Sequence, residues 1–204
     1  MNEPRVFVVD DDQDMRSSFK WLIESVGLAV EAFRSAEEFL DAYEPAQPGC
    51  LLLDVRMPGM GGLRLLERLQ ANGAQLPVIV VTGHGEVAMA VQAMKSGAFD
   101  FMEKPANHQQ LLERIQDALA VDRERRARAL EVAAFEQLLA QLTQREREVL
   151  GRMVKGEPSK TIALEFGISE RTVEKHRESI MHKMEARSLA QLIRMVVEYG
   201  RTIA

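Results

Sequence analysis

One cysteine in 204 residues excludes a disulfide framework and fits a reducing cytoplasm. That residue, Cys50, sits in the apolar run CLLLD and reads as a buried structural thiol. No run of about 18 apolar residues is present, so no membrane-spanning helix is expected. Met1 to Arg5 lead straight into a strand-like run, and no secretory leader is expected. Internal repeats and low-complexity tracts are also missing. Glycine and proline are absent from Ala106 to Leu150, so nothing there interrupts a helix.

Positive charge is scarce in the first part of the chain. Residues 1–122 hold 10 Lys and Arg against 19 Asp and Glu, whereas 123–204 hold 16 against 12. This asymmetry, in a length that suits two small domains, points to cation binding first and polyanion binding second.

Short β-like runs alternate with amphipathic helical segments up to residue 120. The runs are 5–9, 28–33, 50–54, 76–81 and 99–102, and three are nearly continuous in apolar residues. That pattern predicts a doubly wound, five-stranded parallel sheet whose ligand site lies beyond the carboxyl ends of its strands. Ser35-x-x-Glu38 has capping-box spacing, and Asn107-x-x-Gln110 opens a last helix that runs on into a helical linker. Beyond Leu142 only short helices are expected. Thr143-x-x-Glu146 caps the first, with Gly156 a stop; the second, 159–167, ends at Gly167; Ser169 caps the third; the fourth runs from about Ser188 to Tyr199. The tight glycine turn between the second and third makes a helix-turn-helix. In the third, Val173, Ile180 and Met184 share a face that should pack against Ile162 and Leu164. Arg171, Glu174, Lys175, Glu178 and His182 lie opposite, as either a solvated face or a helix for the major groove.

VFVVDDDQD, residues 6–14, drives four apolar residues into four aspartates. Strand ends gather Asp10, Asp11, Asp54, Thr82 and Lys104 at one sheet edge. Three carboxylates with few cations nearby form a hard-oxygen site that suits Mg²⁺. A calcium loop starting at Asp10 fails, because its sixth position is Met15 and its twelfth is Trp21. Asp12 and Asp14 instead favour the positive end of the first helix.

Four segments in order, VVDDD, LLLDVRMPGMGG, VVTGHG and FMEKP, resemble those of a bacterial response-regulator receiver. The segment LTQREREVL…GEPSKTIALEFGISERTVEKHRESIMHKM resembles the LuxR/FixJ-type helix-turn-helix. The resemblance implies a receiver over 4–120, a helical linker over 121–137 and an all-α four-helix DNA-binding domain over 138–202, with its helix-turn-helix at about 159–178. It implies that Asp54 accepts a phosphoryl group from a sensor histidine kinase, with Mg²⁺ held by Asp10, Asp11, Asp54 and the Arg56 backbone carbonyl. Lys104 and Thr82 would stabilise the phosphoryl group, Thr82 and Phe101 would act as switch residues, and the Lys104–Pro105 bond would be cis. Phe101 reads equally as permanent core, and Arg56 and His84 would tune the phosphoryl lifetime. Glu174, Lys175 and Glu178 would face bases, and Lys160, Ser169, Arg171, Thr172, Arg177 and Arg187 the DNA backbone. Family members carry lysine at the first and third reading positions; glutamates there suit cytosine amino groups and imply a different target. The implied protein is a cytoplasmic transcriptional regulator, an activator by the family's habit, that dimerises when phosphorylated and contacts double-stranded DNA and RNA polymerase. Two rival readings are a Mg²⁺-dependent phosphohydrolase built on Asp10-x-Asp12, and a DNA-binding scaffold indifferent to phosphorylation.

Overall fold

A computed structural model describes residues 3–83 and 87–200; His84 lies outside them. The chain divides into two compact units, Met1–Arg126 and Ala127–Ala204.

The first unit is built on five strands: β1 (Arg5–Val9), β2 (Ala29–Phe33), β3 (Gly49–Leu53), β4 (Val78–Thr82) and β5 (Asp100–Glu103). They pair in the order β2-β1-β3-β4-β5, every pair parallel. Alternation within the strands supplies two cores. Phe7, Val9, Leu51, Leu53, Val78 and Val80 point to one face, against α2 (Ala36–Ala42), α3 (Gly62–Ala71) and α4 (Val87–Lys95). Val6, Val8, Cys50, Leu52, Ile79 and Val81 point to the other, against α1 (Gln13–Glu24) and the first turns of α5 (His108–Ala140). With both faces covered, the central strands need apolar side chains at every position, which explains their unbroken runs. Burial pushes the Cys50 thiol up to about 12, so it stays protonated.

Helix starts follow the local chemistry. Asp12 caps α1 by accepting from the N–H groups of Asp14 and Met15. Asn107 Oδ1 accepts from Gln110 N–H at the start of α5. The capping box at Ser35 is only half made: Ser35 Oγ accepts from Glu38 N–H, but the Glu38 carboxylate accepts from Arg34 N–H at 2.8 Å. The β2–α2 turn presents the amide one residue earlier than the expected pattern.

α5 is a single helix of 33 residues. Its early residues Leu111, Ile115, Ala118 and Leu119 complete the second core. A polar clamp then extends the packing to Arg126. The buried Asp122 carboxylate accepts from Gly49 N–H at 2.9 Å and from Arg126 Nε, while the Arg126 guanidinium donates to the carbonyls of Pro45, Ala46 and Gln47.

The second unit packs the end of α5 with α6 (Gln144–Val154), α7 (Ser159–Phe166), α8 (Glu170–Lys183) and α9 (Leu189–Tyr199). Phe135, Leu142, Val149, Met153, Ile162, Val173, Ile180, Met184 and Leu192 form its core. Gly167, at φ +65°, ends α7 in the left-handed conformation. Leu164 corrects the sequence-based expectation: it is 86% exposed, whereas Ile162 is fully buried. Residues two apart on a helix point about 200° apart, so both cannot enter one core. Among the described residues, no helix is long and apolar enough to cross a membrane.

Removing one partner of a buried, hydrogen-bonded ion pair costs about 3–5 kcal/mol. Because the Arg126 side chain is partly exposed, Arg126→Ala should cost the first unit about 2–3 kcal/mol. Urea unfolding of the full chain should show this as an earlier transition of the first unit only.

Candidate functional site

The carboxyl ends of β1, β3 and β5 place three ionic side chains together. Asp54 N–H donates to Val9 O, and Lys104 N–H donates to Thr82 O, so each residue is fixed by its neighbouring strand. Lys104 Nζ then lies 2.6 Å from Asp10 Oδ2 and 2.9 Å from Asp54 Oδ1. Both carboxylates are buried. Their remaining oxygens are also held: Asp10 Oδ1 accepts from Asp12 N–H at 2.9 Å, and Asp54 Oδ2 accepts from Arg56 N–H at 2.8 Å. The Lys104–Pro105 bond is cis.

Electrostatics reflect this geometry. Burial pushes the Asp54 carboxyl above its ordinary value, against the hydrogen bond and charge of Lys104, which pull it down. Burial works to lower the Lys104 ammonium, but the hydrogen bonds it donates to Asp10 and Asp54 outweigh it and hold the ammonium above its ordinary value. Two carboxylates share one ammonium, leaving local negative charge for a further cation to offset.

Other expected residues are placed less centrally. Asp11 is exposed, and Arg56 is exposed with its N–H turned to Asp54. Phe101 is half-buried against the first core. Thr82 is buried, and among the described residues its hydroxyl has no hydrogen-bond partner. Among the described residues, no three Asp, Glu, His or Cys side chains stand close enough together to form a ready metal cluster. The donors present are nevertheless all hard oxygens, which fits Mg²⁺ and no soft metal. Asp12, the second acid of the Asp10-x-Asp12 alternative, is committed to capping α1.

Two contacts escaped the sequence reading. Arg16 Nη1 donates to the Asp10 carbonyl at 2.6 Å, fixing the acidic turn from the first turns of α1. Gly62 lies so close to the Asp54 carbonyl that a Cβ would sit 2.0 Å from that oxygen. The double glycine in MPGMGG was visible, but not which of the two the close approach requires.

In the second unit, Arg171, Glu174, Lys175, Glu178 and His182 of α8 are exposed, as are Lys160, Ser169 and Arg187; Thr172 and Arg177 are half-buried. Three of the expected contact residues are already engaged: Glu174 Oε1 accepts from Ser159 Oγ, and Ser169 Oγ hydrogen-bonds Thr172 Oγ1 at 2.8 Å. α8 is tied to α6 through Glu146. This buried carboxylate closes the Thr143 capping box and also accepts from Ser179 Oγ at 2.6 Å and Lys183 Nζ at 2.7 Å. Burial works to raise its pKa, but the bonds from Lys183, Ser179 and Thr143 hold it down at about 2. The capping pattern revealed the local half of this role; the partners on α8, more than 30 positions away, carried no sequence signal.

A parallel sheet with an acid–lysine pocket, followed by a helix-turn-helix unit, defines a signalling protein that acts on DNA. Residues 6–116 match the response regulator receiver domain, and residues 140–196 match the luxR family of bacterial regulatory proteins. The chain is 47% identical over 195 residues to the transcriptional regulatory protein FixJ of Azorhizobium caulinodans, covering 96% of this chain and 92% of that protein. It is 43% identical over 196 residues to the transcriptional regulatory protein TdiR of Thauera aromatica, covering 96% of this chain and 86% of that protein. Among solved structures, the response regulator StyR matches with a TM-score of 0.89 and 45% identity, over 97% of this chain and all of that one. Full-length FixJ from B. japonicum matches at 0.60 and 38%, over 98% of each chain. The chain belongs to the response regulators with a receiver domain and a LuxR-type DNA-binding domain, and it is a phosphorylation-dependent transcriptional regulator.

Glu146 gives the second unit a defined acid response. Its folded pKa lies below the ordinary 4.5, so its contribution is complete above pH 4.5 and disappears as pH falls towards 2. The shift corresponds to about 3 kcal/mol. Glu146→Gln should remove that contribution, flattening the stability of the second unit over this pH window when followed by chemical denaturation.

Proposed function

We propose that Asp54 is the phosphoacceptor and that a sensor histidine kinase is the donor. The observation that carries this reading is the Lys104 ammonium lying between the buried carboxylates of Asp10 and Asp54. An ionised Asp54 oxygen attacks the phosphorus of a phosphohistidine; the P–N bond breaks, imidazole leaves, and an acyl phosphate forms. Little covalent help is needed from the protein, so positioning and charge neutralisation do most of the work. Asp10, Asp11, Asp54 and the Arg56 carbonyl would hold Mg²⁺, which when bound neutralises developing charge on the phosphoryl oxygens. Lys104 offers a fixed cation to those oxygens. The Thr82 hydroxyl, without a partner among the described residues, supplies a donor, and Phe101 follows it as the packing element of the switch. Hydrolysis of the acyl phosphate returns the protein to its resting form.

In this reading the receiver occupies 4–120, the linker 121–137 and the DNA-binding domain 138–202. α8 enters the major groove. Lys175 and Glu178 read bases with Glu174, while Lys160, Ser169, Arg171, Thr172, Arg177 and Arg187 meet phosphates. Phosphorylation pairs two copies so that their α8 helices match an inverted repeat. The output is activation in the cytoplasm through contact with RNA polymerase.

Asp54→Asn should abolish Mg²⁺-dependent labelling by acetyl phosphate; stoichiometric labelling of the variant, followed by mass spectrometry, would assign the phosphoryl group elsewhere. Binding assays across a salt series should separate the DNA contacts. Lys175→Ala should alter base preference, whereas Arg177→Ala should weaken binding to every sequence and reduce the salt slope by about 1.

A further inference from the structure

The loop after Asp54 is tied down at its base and again at its tip. At the base, Arg56 N–H donates to Asp54 Oδ2 and Gly62 N–H donates to Val55 O, both at 2.8–2.9 Å. At the tip, Met60 N–H donates to Glu37 Oε1 at 3.0 Å. Among the described residues, this is the one hydrogen bond from Met57–Met60 to any other element. Gly59 completes the seat: it has φ +74°, and a Cβ there would lie 3.1 Å from the same Glu37 oxygen. A side chain at 59 would therefore meet both backbone strain and the carboxylate.

Glu37 is itself well placed to hold a loop still. It stands in the first turn of α2, between the fully buried Ala36 and the fully buried Phe39. Ser35 caps that turn, and Arg34 N–H is bound by Glu38. One residue earlier, Phe33 O accepts from Asp10 N–H at 3.2 Å. The β2–α2 junction thus touches both acidic elements of the pocket: the Asp10 turn through Phe33 and the Asp54 loop through Glu37. The backbone N–H of Glu37 itself, and then the hydrogen bond from Met60 N–H, hold the Glu37 carboxyl below its ordinary value.

We propose that Glu37 is a positioning residue for phosphorylation: its carboxylate fixes the tip of the 56–61 loop and, through it, the Arg56 backbone beside the acceptor oxygen. The inference rests on Asp54 as phosphoacceptor. A single hydrogen bond at an exposed site contributes little to stability, so its effect belongs to loop order and reaction geometry, where small displacements are costly.

The test uses the full chain with Glu37→Ala and Glu37→Gln. Glu37→Ala should slow labelling by acetyl phosphate about tenfold and speed hydrogen exchange at the Met60 amide. Glu37→Gln should restore both, because the amide oxygen still accepts the Met60 N–H. The DNA affinity of the unphosphorylated protein should match wild type in both variants, and the urea midpoint of the first unit should fall only slightly in Glu37→Ala and not in Glu37→Gln. Labelling of Glu37→Ala at the wild-type rate would overturn the proposal, as would equal slowing in the two variants. Labelling that survives Asp54→Asn would instead sink the phosphoacceptor assignment, so the two failures are told apart.

Discussion

For one ammonium to touch two carboxylates from different strands, the sheet must hold three strand ends in register. Lys104 follows β5, Asp54 follows β3, and β4 lies between them. At about 4.8 Å per strand, the lysine must reach across about 10 Å of sheet. Its backbone is fixed to Thr82 at the end of β4, and Asp54 is fixed to Val9 at the end of β1. A slip of one residue in any pairing would turn one of these side chains to the opposite face. The apolar, doubly covered strands prevent that slip, so the core packing and the ionic pocket are one constraint seen from two sides.

The second unit solves a similar problem with one residue. A reading helix must be held at a fixed angle without spending its exposed face on internal contacts. Glu146 gathers the α6 amino end and the buried side of α8 through Ser179 and Lys183. The face from Arg171 to His182 thereby stays largely outside the packing. Glu174 departs from that scheme, since it is bonded to Ser159 on α7. Reading cytosine would require it to exchange that partner for a base edge.

Much of this was legible in order along the chain. The strand runs, the glycine stop at 167, the acidic start of α1 and the caps at Asn107, Thr143 and Ser169 are local signals, and the residues obey them. The meeting of Asp10, Asp54 and Lys104 was also legible, because a parallel sheet sends every strand end to the same edge. Leu164 faces solvent because it stands about 200° round α7 from Ile162, an angle that hydrophobicity alone does not show. Arg16, Glu37 and the Glu38–Arg34 contact were not legible: charged residues in helix first turns look the same whether they face water or brace a loop. Asp122 heads the charged run DRERR in the sequence, and only the fold brings Gly49 to it.

That last contact bears on how the protein can be divided. The receiver match ends at residue 116, yet the buried Gly49 amide finds its acceptor at Asp122. A fragment cut at the family boundary would leave that N–H buried and unsatisfied, at a cost of about 1–3 kcal/mol. It would also release the Pro45–Gln47 carbonyls from Arg126. An excised receiver that behaves like its parent should therefore carry the first turns of the connecting helix through Arg126.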